Sequence, residues 1–140
     1  KMSYKIISKF IKDISFEIPS AETFLLLEKE ITKYELKVDI SSKQFKNNII
    51  EVNTVLKLTP REEVKRKILT EITLASLVSI DGTIKDKKVL EKIVLVKVPS
   101  ETYSILYDTF IYLFKQSGLK DINIKKEINF EELYNKNIMI

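Results

Sequence analysis

With no His and no Cys among its 140 residues, this sequence leaves carboxylates and lysines as its main candidates for chemistry. Zinc sites, Ser-His and Cys-His nucleophiles, thiol redox centres, haem and iron–sulfur clusters therefore lose their usual residues. The adjacent acids Glu62-Glu63 and Glu131-Glu132 lack the converging pocket that moves two carboxyl pKa values apart. The sequence predicts no catalysis, no metal and no cofactor. The absence of disulfides is compatible with a reducing cytoplasm.

Two groups of basic residues raise nucleic-acid binding as another class of function. One is Lys65-Arg66-Lys67 on a predicted strand, and the other is Lys85, Lys87, Lys88 and Lys92 at a predicted helix start. The net charge is +4, yet only two of the 24 basic residues are Arg, so bidentate phosphate recognition has few candidates. Aromatic residues are not interleaved with either group, so base stacking lacks its usual parts. Solvated surface lysines are the favoured interpretation, and a basic nucleic-acid-binding module stays an alternative.

The elements that must position these side chains belong to one predicted domain spanning 1–140. A hydrophobic content of 44% is enough for one core, and two Gly with three Pro argue against disorder and glycine-rich phosphate loops. No apolar run approaches 18 residues and no signal-peptide pattern occurs, so we expect neither membrane insertion nor export. The chain begins with Lys1 rather than Met, which makes residue 1 a candidate leftover of cloning.

The first half of the sequence has the period-2 alternation of strands with one wet face. Four strands are predicted, over residues 4–18, 34–40, 49–58 and about 64–80. Residues 41–48 are predicted as a polar loop, and the segment 21–31 is too apolar for a plain connection. The fourth strand places Thr70, Ile72 and Leu74 on one face, with Leu69 and Glu71 on the other. Short polar connections favour an antiparallel meander or a Greek key.

The second half changes to the period of a helix, so the sequence predicts an α+β fold. Helices are expected over about 86–98 and 100–117, with a break at Pro99, a cap at Ser100 and an end at Gly118. A last short helix is predicted to open near Asn129. The helix 100–117 is apolar around nearly its whole circumference, and this is more apolar surface than one small sheet can cover. The sequence therefore predicts self-association.

The order of several short motifs resembles that of the SecB export chaperones. The run Lys12-Asp-Ile-Ser-Phe-Glu-Ile-Pro-Ser20 resembles the signature of their first strand. Leu69-Thr-Glu71 looks like the Leu-x-Glu of the fourth strand, and Val78-Ser-Ile-Asp-Gly82 resembles the end of that strand. Ile128-Asn-Phe-Glu-Glu-Leu-Tyr134 is similar to the closing motif of the family. The resemblance extends along nearly the whole chain.

This resemblance implies an ATP-independent chaperone that holds unfolded preproteins and delivers them to the SecA motor. SecB proteins are cytoplasmic homotetramers, dimers of dimers, each chain having a four-stranded antiparallel sheet followed by helices. The family's SecA-docking residues carry over as Asp13, Glu17, Leu69 and Glu71. The client-binding residues that the resemblance implies are Phe24, Leu25, Leu26, Leu36, Val38, Tyr107, Phe110 and Phe130.

Two departures from the family pattern keep one further alternative open. SecB proteins are usually strongly acidic, whereas this chain is net basic. The long helix also reads Ile105-Leu-Tyr-Asp-Thr-Phe110 in place of the family's usual run. A SecB-like chaperone that serves another client, such as the antitoxin of a toxin–antitoxin–chaperone system, would keep the groove and change the docking face.

Overall fold

Four strands precede the three later helices, and a further helix connects the first two strands. The computed structural model describes residues 3–120, 122 and 124–137, and Lys1 lies outside them. The elements are β1 (Tyr4–Glu17), α1 (Ala21–Glu30), β2 (Tyr34–Lys46), β3 (Ile49–Pro60), β4 (Leu69–Ile80), α2 (Lys87–Lys92), α3 (Val98–Gln116) and α4 (Phe130–Asn137). The predicted α+β class with a four-stranded antiparallel sheet is confirmed.

The strands lie in the order β1-β4-β3-β2, and all neighbours are antiparallel. This is the order of a Greek key, in which three hairpin-connected strands are joined to a fourth by a long connection. The long connection here is α1 with the 3-10 turn Ile31–Lys33. Strands β1 and β2 are therefore the two edges of the sheet.

The two faces of the sheet differ in burial because side chains alternate along each strand. Leu56, Ile72 and Leu74 point to the helices and are at most 1% exposed, packed in one cluster with Phe110 and Phe114 of α3. The strand residues that alternate with Leu56, Ile72 and Leu74 point to the opposite face of the sheet, which we call the open face. The predicted division of β4, with Thr70, Ile72 and Leu74 on one face and Leu69 and Glu71 on the other, is confirmed by their register and burial.

The loop predicted over residues 41–48 is wrong, since β2 continues to Lys46 and only Asn47 and Asn48 form the turn. Asn47 takes a positive φ of 48°, which Asn tolerates better than most residues. The polar sequence concealed the strand because this part of β2 is exposed. The fourth strand begins at Leu69 and not near residue 64, although Val64 and Ile68 before it are both buried.

Helix α1 accounts for the apolar segment after the first strand. The Ser20 hydroxyl accepts a hydrogen bond from the Thr23 N–H at 3.1 Å, which caps the helix N-terminus. Thr23 and Leu27 are buried, four residues apart on one face of the helix. Leu25 lies on the other side and is 73% exposed. The helix therefore covers the sheet with one face and leaves the other to solvent.

The predicted helix break at Pro99 is wrong, and Ser100 is not a cap. α2 passes through one π turn (Ile93–Lys97) into α3 without interruption, and Pro99 occupies the first turn of α3. Pro99 is tolerated in this continuous helix because the wider turn before it replaces the regular i→i−4 bonding that a Pro would interrupt. The Val98 N–H instead bonds the Ile93 carbonyl, as the wider turn requires.

Helix α3 ends as predicted just before Gly118, which adopts a φ of 109°. Its Leu106, Phe110 and Phe114 are fully buried, whereas Tyr112 on the other side is 62% exposed. Within the described residues no helix is long and apolar enough to cross a membrane.

Candidate docking face and client groove

The pairing of β1 with β4 brings the four predicted docking residues together on the open face. Glu17 lies opposite Leu69, and Glu71 lies opposite Ser15, between Asp13 and Glu17 on β1. Asp13 and Glu17 are exposed, Leu69 is 48% exposed and Glu71 is half-buried. We call Asp13, Glu17, Leu69 and Glu71 the docking face. It combines three carboxylates with one exposed leucine.

Two bulges in β1 decide which of its side chains reach the open face. The register with β4 shifts between Ile6 and Ser8 and again between Ile11 and Asp13, so Ile7 and Lys12 are extra residues. Lys12 thereby lies next to Asp13 and reaches across β4 to β3, where its Nζ is 2.6 Å from Glu51 Oε2. Sequence reasoning did not identify Lys12 or Glu51, because a bulge has no reliable signature in an alternating pattern.

The charges of the open face are divided between its two halves. In the part of the chain that the structure describes, no Lys or Arg nitrogen lies within 4.0 Å of a carboxylate of the docking face. The half formed by β2 and β3 holds ion pairs instead: Lys12–Glu51, Lys43–Glu51 at 4.0 Å, Lys57–Asp39 at 2.8 Å and Lys37–Glu35 at 4.0 Å. A chain of net charge +4 therefore still presents a locally acidic docking face.

Two of these ion-pair residues have displaced pKa values. The hydrogen bond from Lys12 lowers the pKa of Glu51 below 4.5, helped by a hydrogen bond from Asn53 and outweighing the effect of burial. Asp39 raises the pKa of Lys57 through a hydrogen bond and its charge, with a further contribution from the charge of Glu71. Glu51 and Lys57 are therefore charged at neutral pH.

On the helix side of the sheet, one end of α4 and the edge strand β2 form a groove of about 200 Å³, whose lining includes Asp39 besides apolar and aromatic residues. We call it the β2–α4 groove. Its apolar lining consists of Val38, Ile40, Leu95, Phe130, Leu133 and Tyr134. Of the predicted client-binding residues, only Val38 and Phe130 line it, and Phe130 is 3% exposed at its floor. Sequence reasoning missed the other four, although Ile40 continues the alternation of β2, and Leu133 and Tyr134 follow Phe130 at helical spacing.

A second hollow shares Ile40 and Leu95 with this groove and continues it along β2. It measures about 370 Å³ and is lined mainly by Ile50, Ile80, Leu90 and Val94, with Lys87 and Glu91 as its charged members. The apolar surface beside β2 is therefore longer than the residues predicted from the sequence.

The predicted residues of α1 lie apart from the β2–α4 groove. Leu25 and Leu26 line a hollow beside Arg66, which binds Glu22 at 3.2 Å. Phe24 is half-buried with its ring against Gly118, where an added Cβ would lie 3.2 Å from the ring. Leu25 and Leu26 therefore belong to a second surface, shared with charged side chains, whereas Phe24 packs elsewhere.

The remaining predicted client residues belong to the packing of the core. Phe110 has no exposed surface, so it cannot touch a client in this fold, and the prediction for it is corrected. Its side chain is buried because the apolar stripe of α3 faces the sheet. Leu36 and Tyr107 are half-buried against the same core cluster. Tyr107 also lies under the Lys126 amine, 5.2 Å from the ring centroid.

One of the two basic groups lies differently from the prediction, and the other lies at the start of a helix as predicted. Lys65, Arg66 and Lys67 lie in the connection before β4 and not on a strand. Lys87, Lys88 and Lys92 lie on α2, where Lys92 binds Glu131 at 3.2 Å. Arg66 and Lys92 are thus engaged with carboxylates of α1 and α4.

Nearly the whole chain is similar to known proteins of one family. Residues 1–139 match the family model described as "Preprotein translocase subunit SecB". The chain is also 45% identical over 132 residues to a curated protein of Pelagibacter ubique (strain HTCC1062) named "Putative protein-export protein SecB". That similarity covers 94% of this chain and 94% of the relative.

Proposed function

This chain belongs to the SecB family of export chaperones, and we propose that it is an ATP-independent holdase that delivers unfolded preproteins to the SecA motor in the cytoplasm. The observation that carries the proposal is the separation of two surfaces on one sheet. The docking face lies on the open face, and the β2–α4 groove lies on the helix side. A client and a motor can therefore be bound at the same time.

The β2–α4 groove has the properties that an unfolded client requires. Such a client offers apolar side chains and unpaired backbone groups, which bind to apolar grooves and to strand edges. Val38 and Ile40 belong to the edge strand β2, so their side chains and an unpaired strand edge lie beside one another. The exposed Leu25 on α1 supplies a second apolar contact. We propose both surfaces as client contacts, without Phe110.

The docking face suits a basic partner that also makes an apolar contact at one end of the face, where Leu69 lies opposite Glu17. Asp13, Glu17 and Glu71 attract a basic segment, and Leu69 offers an apolar anchor beside them. A net charge of +4 would disfavour docking to a basic partner only if the charge were spread evenly over the molecule. Its local division on the open face removes that objection, which supports SecA as the partner.

We further propose a homotetramer, a dimer of dimers. The edge strand β1 exposes Ile7, Phe10, Ile11 and Ile14, each between 37% and 51%. An edge strand with apolar side chains is a natural surface for pairing with another chain. Tyr112 on the outer side of α3 is 62% exposed and offers a second, separate contact. Two different self-contacts are what a dimer of dimers needs.

The test of the proposed function is suppression of aggregation of a denatured client, measured beside the mass in solution. Without ATP, we expect about one assembly per client chain to lower the light scattering of the diluted client. We expect the assembly to weigh about four times 16.4 kDa. Undiminished aggregation together with a 16.4 kDa monomer would contradict the proposal. A gel shift with an oligonucleotide under the same conditions would favour the nucleic-acid-binding alternative.

A further inference from the structure

Two lysines adjoin the docking face, and both of their amines are held away from it. Lys12 precedes Asp13 in the chain, and Lys57 lies directly opposite Glu71 in the β3–β4 pair. Neither amine lies within 4.0 Å of these neighbouring carboxylates. The Lys12 amine binds Glu51 at 2.6 Å and the Lys57 amine binds Asp39 at 2.8 Å.

The alternative partners are within reach of both lysines. Residues directly opposite in an antiparallel pair have Cβ atoms about 4.5–5.5 Å apart, so a Lys57 amine without Asp39 can turn to Glu71. The charge of Glu71 already contributes to the raised pKa of Lys57. Lys12 projects from the bulge beside Asp13, and its long flexible stem allows the same change of partner. Each change would neutralise one carboxylate of the docking face.

We propose that Glu51 and Asp39 are positioning residues of the docking face, which hold Lys12 and Lys57 away from Asp13 and Glu71. The two carboxylates thereby keep the docking face acidic in a chain that is rich in lysine. This inference rests on the proposed docking of a basic partner segment. Neither Glu51 nor Asp39 needs to touch that partner.

Glu51 holds its lysine more firmly than Asp39 does. The Glu51 side chain is only 11% exposed, and Lys43 lies 4.0 Å from its second oxygen. The Asp39 side chain is 69% exposed, where water weakens an ion pair. We therefore expect Glu51→Gln to have the larger effect on docking and Asp39→Asn the smaller effect.

The experiment is a double-mutant cycle of docking to purified SecA. Glu51→Gln should weaken docking by about threefold to tenfold at low salt. At about 1 M salt, where the Debye length is about 3 Å, the variant and the wild type should dock equally. Glu51→Gln combined with Lys12→Met should return docking to the wild-type level, because the released amine is then absent. The matched control is Glu132→Gln, which frees Lys136 from a 3.2 Å pair on α4 and should change nothing.

Two results would overturn the inference: wild-type docking by Glu51→Gln, or a weakened docking that Lys12→Met fails to restore. If Glu51→Gln does not fold, the cycle of Asp39→Asn with Lys57→Met repeats the test at a more exposed pair. A labelled decalysine peptide is titrated in parallel. If the wild type ignores SecA but binds this peptide, and Glu51→Gln weakens that binding, SecA is the wrong partner and the positioning role stands. If the wild type binds neither probe, both proposals fall.

Discussion

Replacing Leu25 with Ser separates a client contact on α1 from a contribution to the fold. Leu25 is 73% exposed, so about a quarter of its surface is already covered in the free chain. Full burial of a leucine side chain is worth about 1.5–3 kcal/mol. A client that covers the remaining surface gains at most about three-quarters of that, or roughly 1–2 kcal/mol. Since about 1.4 kcal/mol corresponds to a tenfold change, client affinity should fall by about 5- to 30-fold.

The stability of the same variant should change little. Leu25 has little buried surface to lose, and Ser is only slightly less favourable than Leu inside a helix. The assay measures the affinity for a fluorescently labelled denatured client, the melting temperature and the mass in solution on one preparation. An unchanged affinity with an unchanged melting temperature would refute the client contact on α1. A lower melting temperature together with a smaller assembly would mean that another subunit covers Leu25.

Three further outcomes are expected. Glu71→Lys and Leu69→Arg should each abolish SecA docking in a binding titration, while suppression of aggregation persists. Both side chains lie on the open face and away from the β2–α4 groove. Retained docking in both variants would reject these contacts. Phe110→Ala should lower the free energy of unfolding by about 3–5 kcal/mol in urea, because its ring is fully buried, and client affinity per folded molecule should not change. Because the pKa of Glu51 in the folded chain lies below its ordinary value of 4.5, its contribution to stability is complete above about pH 4.5 and is lost as the pH falls through the folded value. Urea unfolding of Glu51→Gln should therefore show lower stability at neutral pH and a smaller loss below about pH 4.5 than the wild type, and equal acid sensitivity would contradict the Lys12–Glu51 pair.

The local periods of the sequence determined most of the elements. Alternation along residues 69–80 correctly divided β4 into a buried and an open face, because the pleat places every second side chain on the same side. The apolar stripe of α3 correctly indicated a buried helix, and Gly118 correctly indicated its end. Two of the wrong local interpretations concern places where the pattern was weak. The exposed end of β2 has no apolar alternation, and Pro99 fits the first turn of a helix as well as it interrupts one.

The sequence by itself placed Asp13 and Glu17 on one face of a strand, and Leu69 and Glu71 on one face of another, since both spacings are even. Only the tertiary structure decided that β1 and β4 are neighbours, because strand order depends on contacts between distant parts of the chain. The bulge at Lys12 and the choice of Glu51 over Asp13 as its partner were also decided there. Residue spacing along a strand is a local property of the backbone, whereas the pairing of strands and charges minimises the free energy of the whole fold.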